Sequence, residues 1–212
     1  EVAAHAFRIA RAPEAEKSPV QAYCDAHRID CAWMPEGRRF ADLQLLAMDM
    51  DSTLITIECI DELGDFAGKK AEVAAITAQA MRGELDYPAS LRKRVSVLRG
   101  LNDSVLGRVY EERLRLTPGA EALIAKCKEH DVKLLLVSGG FTFFTDRLKQ
   151  RLGIDYTISN TLEVRSGKLT GQVLGDIVDA DDKGREILEY GFAGDGVTVA
   201  IAHDAPGLVG RT

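Results

Sequence analysis

The sequence predicts an α/β fold: a Rossmann-type parallel-sheet core with a helical cap inserted directly after the first core strand. Three observations lead there. An apolar run of strand length ends abruptly in two carboxylates, in LAMDMDST at 46–53. A long stretch with helical periodicity and few strand signals follows it. Beyond Pro118 the texture changes to continuous apolar strands, VKLLLVS at 132–138 and VTVAIA at 197–202, separated by helical patterns. Continuous rather than alternating apolar strands belong to parallel sheets covered on both faces.

The 212 residues suit one domain of ordinary size, or one with an inserted subdomain. A hydrophobic fraction of 46% with 28% charged residues describes a soluble globular chain. Net charge is −6, so the bulk chain offers no basic footprint for nucleic acid. The densest basic stretch, LRKRVSVLR at 91–99, reads as the polar face of an amphipathic helix. No apolar stretch has the length of a membrane span, and no signal-peptide pattern opens the chain, which points to the cytoplasm. Cys24, Cys31, Cys59 and Cys127 show no CxxC or Cys/His ligand spacing. They read as reduced thiols, none of them obviously reactive.

Residues 1–40 read as the remnant of an N-terminal extension packed against the main domain. They hold a short strand candidate (His5 to Ile9), a helix start at Ser18-Pro19 and a second strand near Cys31 to Met34. Residues 41–55 and 117–212 form the core, and 56–116 the cap. The cap patterns run Glu58 to Phe66, Lys70 to Met81, Ser90 to Leu98 and Asn102 to Leu114, broken by Gly68, Gly83 and Gly100. Hinges are expected near Ile55 to Ile57 and Thr117 to Gly119, so that the cap opens and closes over the strand ends. In the core, Ala120 to His130 is helical, as is Phe141 to Leu152, and Asp155 to Ser159 is extended. EVRSGKLTGQV reads as a hairpin turning at Ser166-Gly167. Asp182 to Tyr190 is helical and FAGDG ends a strand.

Four motifs carry chemistry. Alternation in a strand would put Asp49 and Asp51 on one side of the backbone at its carboxyl end, the edge where open α/β sheets bind ligands. Two close acids there suit a divalent cation, or a nucleophile beside a general acid; an Asx-turn before a helix is the plainer alternative. In VSGGF, Ser138, Gly139 and Gly140 could let backbone amides approach an anion, or could simply make a strand-to-helix turn. Lys183, at the start of a helix, could neutralise a phosphoryl group or be merely solvated. Asp195, between two glycines, could add a third oxygen ligand for magnesium. The order of the four along one sheet edge describes a phosphate clamp, a metal and a nucleophile.

DMDSTLITIECIDELGDFAG, AITAQAMRGELDYPASLRKRV, VSGGF, the Lys183 region and GDG together closely resemble the bacterial phosphoserine phosphatases of the haloacid dehalogenase superfamily. The resemblance covers roughly 40–196 and implies a HAD-like core, a capped site and magnesium-dependent hydrolysis of O-phosphoserine to L-serine, the last step of serine biosynthesis. It implies that Asp49 is the nucleophile and Asp51 the general acid, later the base for water. Magnesium would be held by the Asp49 carboxylate, the Met50 backbone carbonyl and Asp195, with Asp51 as a further candidate. Ser138, Gly139, Gly140 and Lys183 would hold the phosphoryl oxygens. Glu58 and Arg94 would read the amino and carboxylate groups of the substrate, with Met81 and Tyr87 lining its pocket. A small-molecule substrate and a monomer or homodimer follow, with neither nucleic acid nor membrane as partner. A phosphatase or phosphotransferase for another small phosphate would share this core.

The chain departs from the pattern at its last motif. Where the family reads GDGxND this sequence reads GDGVTV, and Lys183 and Asp195 are only 12 positions apart. The expectation is that segments of an ordinary family chain are absent from this sequence. A non-catalytic phosphate-binding relative is the alternative that this motif raises.

Overall fold

The computed structural model describes residues 7, 9, 11–13, 16–33, 37, 39–178 and 199–202, the last four as backbone. The chain divides into two compact units, Glu1–Asp42 and Leu43–Thr212. Lys183 and Asp195, the helix expected at Asp182 to Tyr190 and the FAGDG strand end lie outside the described residues.

In the first unit, helix α1 (Lys17–His27) begins one residue before the expected Ser18-Pro19 start. Tyr23 stacks on His27 with ring centroids 4.0 Å apart. Arg28 ends the helix in the left-handed conformation, and its cap bonds fold the chain back. The strand expected near Cys31 is not formed: residues 31–33 adopt no regular structure. A strand needs a partner for its backbone groups, and this unit has no sheet among its described residues. The His5 to Ile9 strand falls mostly outside the described residues.

The second unit is built on a five-stranded sheet in the order β4-β3-β2-β1-β5. Strand β1 (Leu45–Met48) lies between β2 (Lys133–Phe141) and β5 (Val199–Ala202), parallel to both. All four residues of β1 are buried, as its unbroken apolar sequence requires of a central strand. Strand β3 (Tyr156–Arg165) continues the parallel sheet, and β4 (Lys168–Leu174) closes it as an antiparallel edge. The β3–β4 turn falls at Ser166-Gly167, where φ is +50° and +72°, the two positive values that a tight hairpin turn demands. Leu45, Ala47, Leu135, Val137 and Ile158 form a buried cluster on the sheet. Helices α6 (Ala120–Glu129) and α7 (Thr142–Leu152) flank the core strands in sequence.

Between β1 and α6 lies the helical insertion: α2 (Cys59–Phe66), α3 (Lys70–Met81), α4 (Tyr87–Val97) and α5 (Ser104–Arg108). α4 begins at Tyr87, not at the expected Ser90, because Asp86 caps it through Ala89 N–H at 2.7 Å and Pro88 sits in the first turn. The helix expected over Asn102 to Leu114 is broken. Asn102 caps Ser104 N–H at 2.9 Å, and after Arg108 the chain widens into a π-type turn closed by Leu114 N–H to the Val109 carbonyl.

The insertion is tied to the core at two places. Its two connecting strands pair with each other: Ile55 bridges Leu116, Thr56 N–H donates to the Arg115 carbonyl and Thr117 N–H to the Leu54 carbonyl, each at 3.0 Å. At its far end, the loop after α4 pairs with the hairpin. Gly100 N–H donates to Leu169 O at 2.8 Å, Leu169 N–H to Leu101 O at 2.9 Å, and Asp103 N–H to Gly167 O at 3.0 Å. Gly171 (φ +81°) makes the close approach possible, since a Cβ there would sit 3.2 Å from the Ser96 backbone. Among the described residues no helix is long and apolar enough to cross a membrane.

Candidate active site

β1 stops at Met48, so the acid pair is positioned by a turn rather than by strand alternation. Asp49 is extended (φ −76°, ψ 162°) and its carboxylate accepts the Met50 N–H at 2.7 Å. Met50–Leu54 then make a π-type turn closed by Ile55 N–H to the Met50 carbonyl at 3.0 Å. Inside it Asp51 is extended again, and Ser52 takes a left-handed conformation at φ +53°. Two irregular residues in succession turn the chain sharply upward into the insertion. They leave Asp49 and Asp51 close enough that the charge of Asp49 perturbs Asp51.

The Asp51 carboxyl is held on both oxygens. Oδ1 accepts the Cys59 N–H at 2.8 Å, at the first turn of α2, and Oδ2 accepts the Ser138 hydroxyl at 3.2 Å. Burial pushes Asp51 up to about 6; Glu58 and Asp49 add to the rise, and the Cys59 contacts oppose it. A carboxyl in that range carries a proton in an appreciable fraction of molecules near neutrality. Burial and the neighbouring Asp51 keep the Cys59 thiol well above its usual range, so it stays protonated.

Ser138, fully buried, also accepts the Gly140 N–H at 2.8 Å. The strand does not end at Ser138 as expected but runs on to Phe141, with its register against β3 shifted between Val137 and Phe141. The irregularity has a cause. The Gly139 carbonyl turns out of the ladder to accept the Asn160 side-chain amide at 2.9 Å and the Tyr87 hydroxyl at 3.0 Å. Both glycines are required by packing. A Cβ on Gly140 would lie 2.8 Å from Asp51 Oδ2 and from Met50 Cε, and one on Gly139 would run into the Tyr87 hydroxyl.

From the insertion, Glu58 accepts the Ser52 hydroxyl at 2.6 Å. Desolvation and the charges of Asp61 and Asp49 raise the Glu58 carboxyl, while Ser52 and Arg94 oppose them. Tyr87 is pushed up to about 12, first by burial of its hydroxyl, with Arg94 working against it and Asp49, Asp51 and Glu58 adding to the rise. These mutual effects gather Asp49, Asp51, Glu58, Tyr87 and Arg94 in one neighbourhood. The Arg94 Nε is buried without a hydrogen-bond partner. Met81 is not part of this cluster: it ends α3 with 85% of its surface exposed.

Three contributors were not visible in the sequence as site residues: Ser52, Cys59 and Asn160. Asn160 is buried and bonded at both ends of its amide, since its side-chain oxygen also accepts the Val178 N–H at 2.9 Å. A polar residue at a buried strand position was the one signal available. Among the described residues no group of three or more His, Cys, Asp or Glu side chains gathers to hold a metal. The oxygen donors present, the Asp49 carboxylate and the Met50 carbonyl, do fit a hard divalent cation, and the protonated Cys59 thiol offers no competing soft ligand.

A haloacid dehalogenase-like hydrolase profile matches residues 46–203. The chain is 56% identical over 156 residues to a phosphoserine phosphatase of Polaromonas sp., covering 71% of this chain and 66% of that one. It is 45% identical over 161 residues to the phosphoserine phosphatase of Archaeoglobus fulgidus, covering 76% of this chain and 46% of that one. It therefore spans just under two thirds of the first relative and under half of the second. Among solved structures, the probable phosphoserine phosphatase of Vibrio cholerae superposes with TM-score 0.69 at 42% identity, over 82% of this chain and 54% of that chain. A substrate-bound phosphoserine phosphatase complex superposes at 0.67 with 38% identity, over 75% of this chain and 76% of that chain. Fold, acid motif and relatives agree: the chain belongs to the haloacid dehalogenase-like hydrolase family.

Proposed function

We propose that the protein is a magnesium-dependent phosphomonoesterase that hydrolyses O-phosphoserine to L-serine and phosphate, closing serine biosynthesis in the cytoplasm as a monomer or homodimer. The observation that carries this reading is the contrast between two neighbouring carboxyls. Asp51 is half-buried, held by two donors and pushed up to about 6, while Asp49 beside it is committed to the Met50 amide through one oxygen. Adjacent carboxyls in different environments divide acid and nucleophile roles between them. The phosphoserine phosphatases among the relatives supply the substrate class.

In this reading an Asp49 oxygen attacks phosphorus and the bond to the serine oxygen breaks. Asp51 gives its proton to the departing oxygen, leaving L-serine and a phosphoryl group on Asp49. Asp51, now a carboxylate, takes a proton from water as the water oxygen attacks phosphorus. The bond to Asp49 breaks, phosphate leaves and both residues return to their starting states. The Asp49 carboxylate, the Met50 carbonyl and Asp195, with Asp51 as a further candidate, would hold magnesium, which when bound would mask the charge of the phosphoryl oxygens. Ser138, Gly139, Gly140 and Lys183 bind those oxygens. Glu58 pairs with the substrate ammonium and Arg94 with its carboxylate, with Tyr87 lining the pocket and Met81, exposed at the end of α3, left outside it. The division that supports this is 1–40 as an extension, 41–55 with 117–212 as core, and 56–116 as cap.

The test is phosphate release from O-phosphoserine with and without magnesium, on the parent chain and on Asp49→Asn. Magnesium-dependent release that Asp49→Asn abolishes is expected. Release from other small phosphates but not from phosphoserine would transfer the reading to a related phosphatase, and no release from any would leave a phosphate-binding relative.

A further inference from the structure

We propose that Asn160 is a positioning residue for the reaction: its carboxamide fixes the peptide plane between Gly139 and Gly140, and that plane orients the Ser138 hydroxyl toward Asp51. The proposal rests on the role given above to Asp51 and adds a residue that acts on it from a different strand.

The pattern of β3 makes Asn160 the exception. Alternation buries Ile158, Asn160 and Leu162 on one face of the strand, and Asn160 is 1% exposed between two apolar neighbours. A carboxamide at such a position costs stability unless both of its ends are bonded. Here both are. The Val178 N–H, which can only donate, lies 2.9 Å from Oδ1, so Nδ2 faces the other way and donates to the Gly139 carbonyl at 2.9 Å. The sheet prepares the place for that bond. β2 and β3 are in register at Val137 with Ile158 and again at Phe141 with Asn160, so β2 carries residues 138–140 where β3 carries Ser159 alone. The surplus residues leave the ladder as a bulge, and a bulged peptide has lost its strand partner. For Gly139 the side chain of Asn160 replaces that partner.

The effect passes to the acid through one peptide and two hydrogen bonds. The Gly139 C=O and the Gly140 N–H belong to a single planar trans peptide and point in opposite directions. Holding the carbonyl on Asn160 therefore directs the Gly140 N–H, which meets Ser138 Oγ at 2.8 Å. With that donor on its oxygen, Ser138 has one proton to give, and it gives it to Asp51 Oδ2 at 3.2 Å. Tyr87 reaches the same carbonyl from the insertion, so Asn160 is the one of these two donors that is anchored in the sheet.

The test uses the full chain with Asn160→Leu, which keeps most of the side-chain bulk, and Asn160→Ala, which serves if leucine does not pack. Each is made alone and together with Ser138→Ala. Amide exchange followed by NMR should quicken at least about tenfold at Gly140 while Leu134, Leu135 and Leu136 keep the parent rates. With magnesium present, kcat on O-phosphoserine should fall at least about tenfold in the otherwise unchanged chain, the cost of loosening an atom that orients the acid. In the Ser138→Ala background the same change should cost less than about twofold, because the relay is already cut there. Equal fold losses in both backgrounds would make Asn160 a structural residue of β3 only, and Gly140 exchange at the parent rate would overturn the positioning outright. A parent chain that releases no phosphate from phosphoserine would overturn the phosphatase reading instead, with exchange at Gly140 still deciding whether Asn160 holds the turn.

Discussion

The Tyr87 hydroxyl donates to the Gly139 carbonyl at 3.0 Å across 52 residues of sequence. The first residue of α4 thereby touches the turn of β2 that lies against Asp51. The same carbonyl takes the Asn160 amide from the sheet side, so the turn is fixed from the insertion and from the core at once.

Tyr87→Phe keeps the ring and removes the donor. The Gly139 carbonyl retains Asn160, so no buried acceptor is orphaned and the loss of stability should stay within about 1 kcal/mol. The change should appear in the insertion. Amide hydrogen exchange over 87–97 should quicken about fivefold while 133–137 keeps its protection. Unchanged exchange in α4 would show that this bond does not hold the insertion down.

Gly140→Ala should cost turnover at least about a hundredfold, because its Cβ can be accommodated only by displacing Asp51, Met50 or Ser138, and small misplacements at a reacting centre have that effect. Gly139→Ala meets the Tyr87 hydroxyl instead, on a side chain 38% exposed that can swing aside with the insertion. Its turnover should fall less. Turnover numbers and melting temperatures of both variants check the order, and equal losses would contradict it.

Asp51→Asn should be inactive yet more stable than the parent above about pH 6. Asp51 moves from 3.8 in the unfolded chain to about 6 in the fold, so the folded state binds its proton more tightly. Stability therefore falls as pH rises between those values and then levels off, with a deficit of at most about 3 kcal/mol. Asparagine does not ionise and escapes that deficit. Denaturant midpoints in chelator should coincide for the two proteins near pH 4 and diverge by pH 7; parallel curves would mean Asp51 is not so perturbed.

Arg94→Ala should raise KM for phosphoserine at least about tenfold while sparing an aryl phosphate, which has no carboxylate to be read. The buried, unpartnered Arg94 Nε motivates this, since an unmatched donor in a pocket favours the ligand that matches it. Equal losses on both substrates would assign Arg94 to the architecture.

The sequence made the sheet legible because burial writes itself into composition: LLAM and KLLLVSGGF admit no solvent face. The order of helices in the insertion was legible for the same reason. Starts and stops were less so, because they depend on single contacts, as at Asp86 capping Ala89 N–H, which moved the start of α4 from Ser90 to Tyr87. Asp49 and Asp51 could be singled out, but not the turn that brings them together, since a left-handed Ser52 leaves no compositional trace. Cys59 acts on Asp51 through its backbone amide, a group every residue but proline carries, and Asn160 acts from a strand distant in sequence. Neither role has a local signature.

The pairing of Gly100, Leu101 and Asp103 with the 167–169 hairpin bears on how such insertions can be exchanged between relatives. By sequence the insertion is a contiguous block with two seams, one at each end. By backbone hydrogen bonding it has a third seam, after α4, shared with the edge of the sheet. A graft that swapped the block alone would leave the hairpin's amides and carbonyls facing an unmatched loop. A workable chimera must carry the donor's hairpin turn together with the donor's insertion, so the two segments form one hereditary unit although they are far apart in sequence.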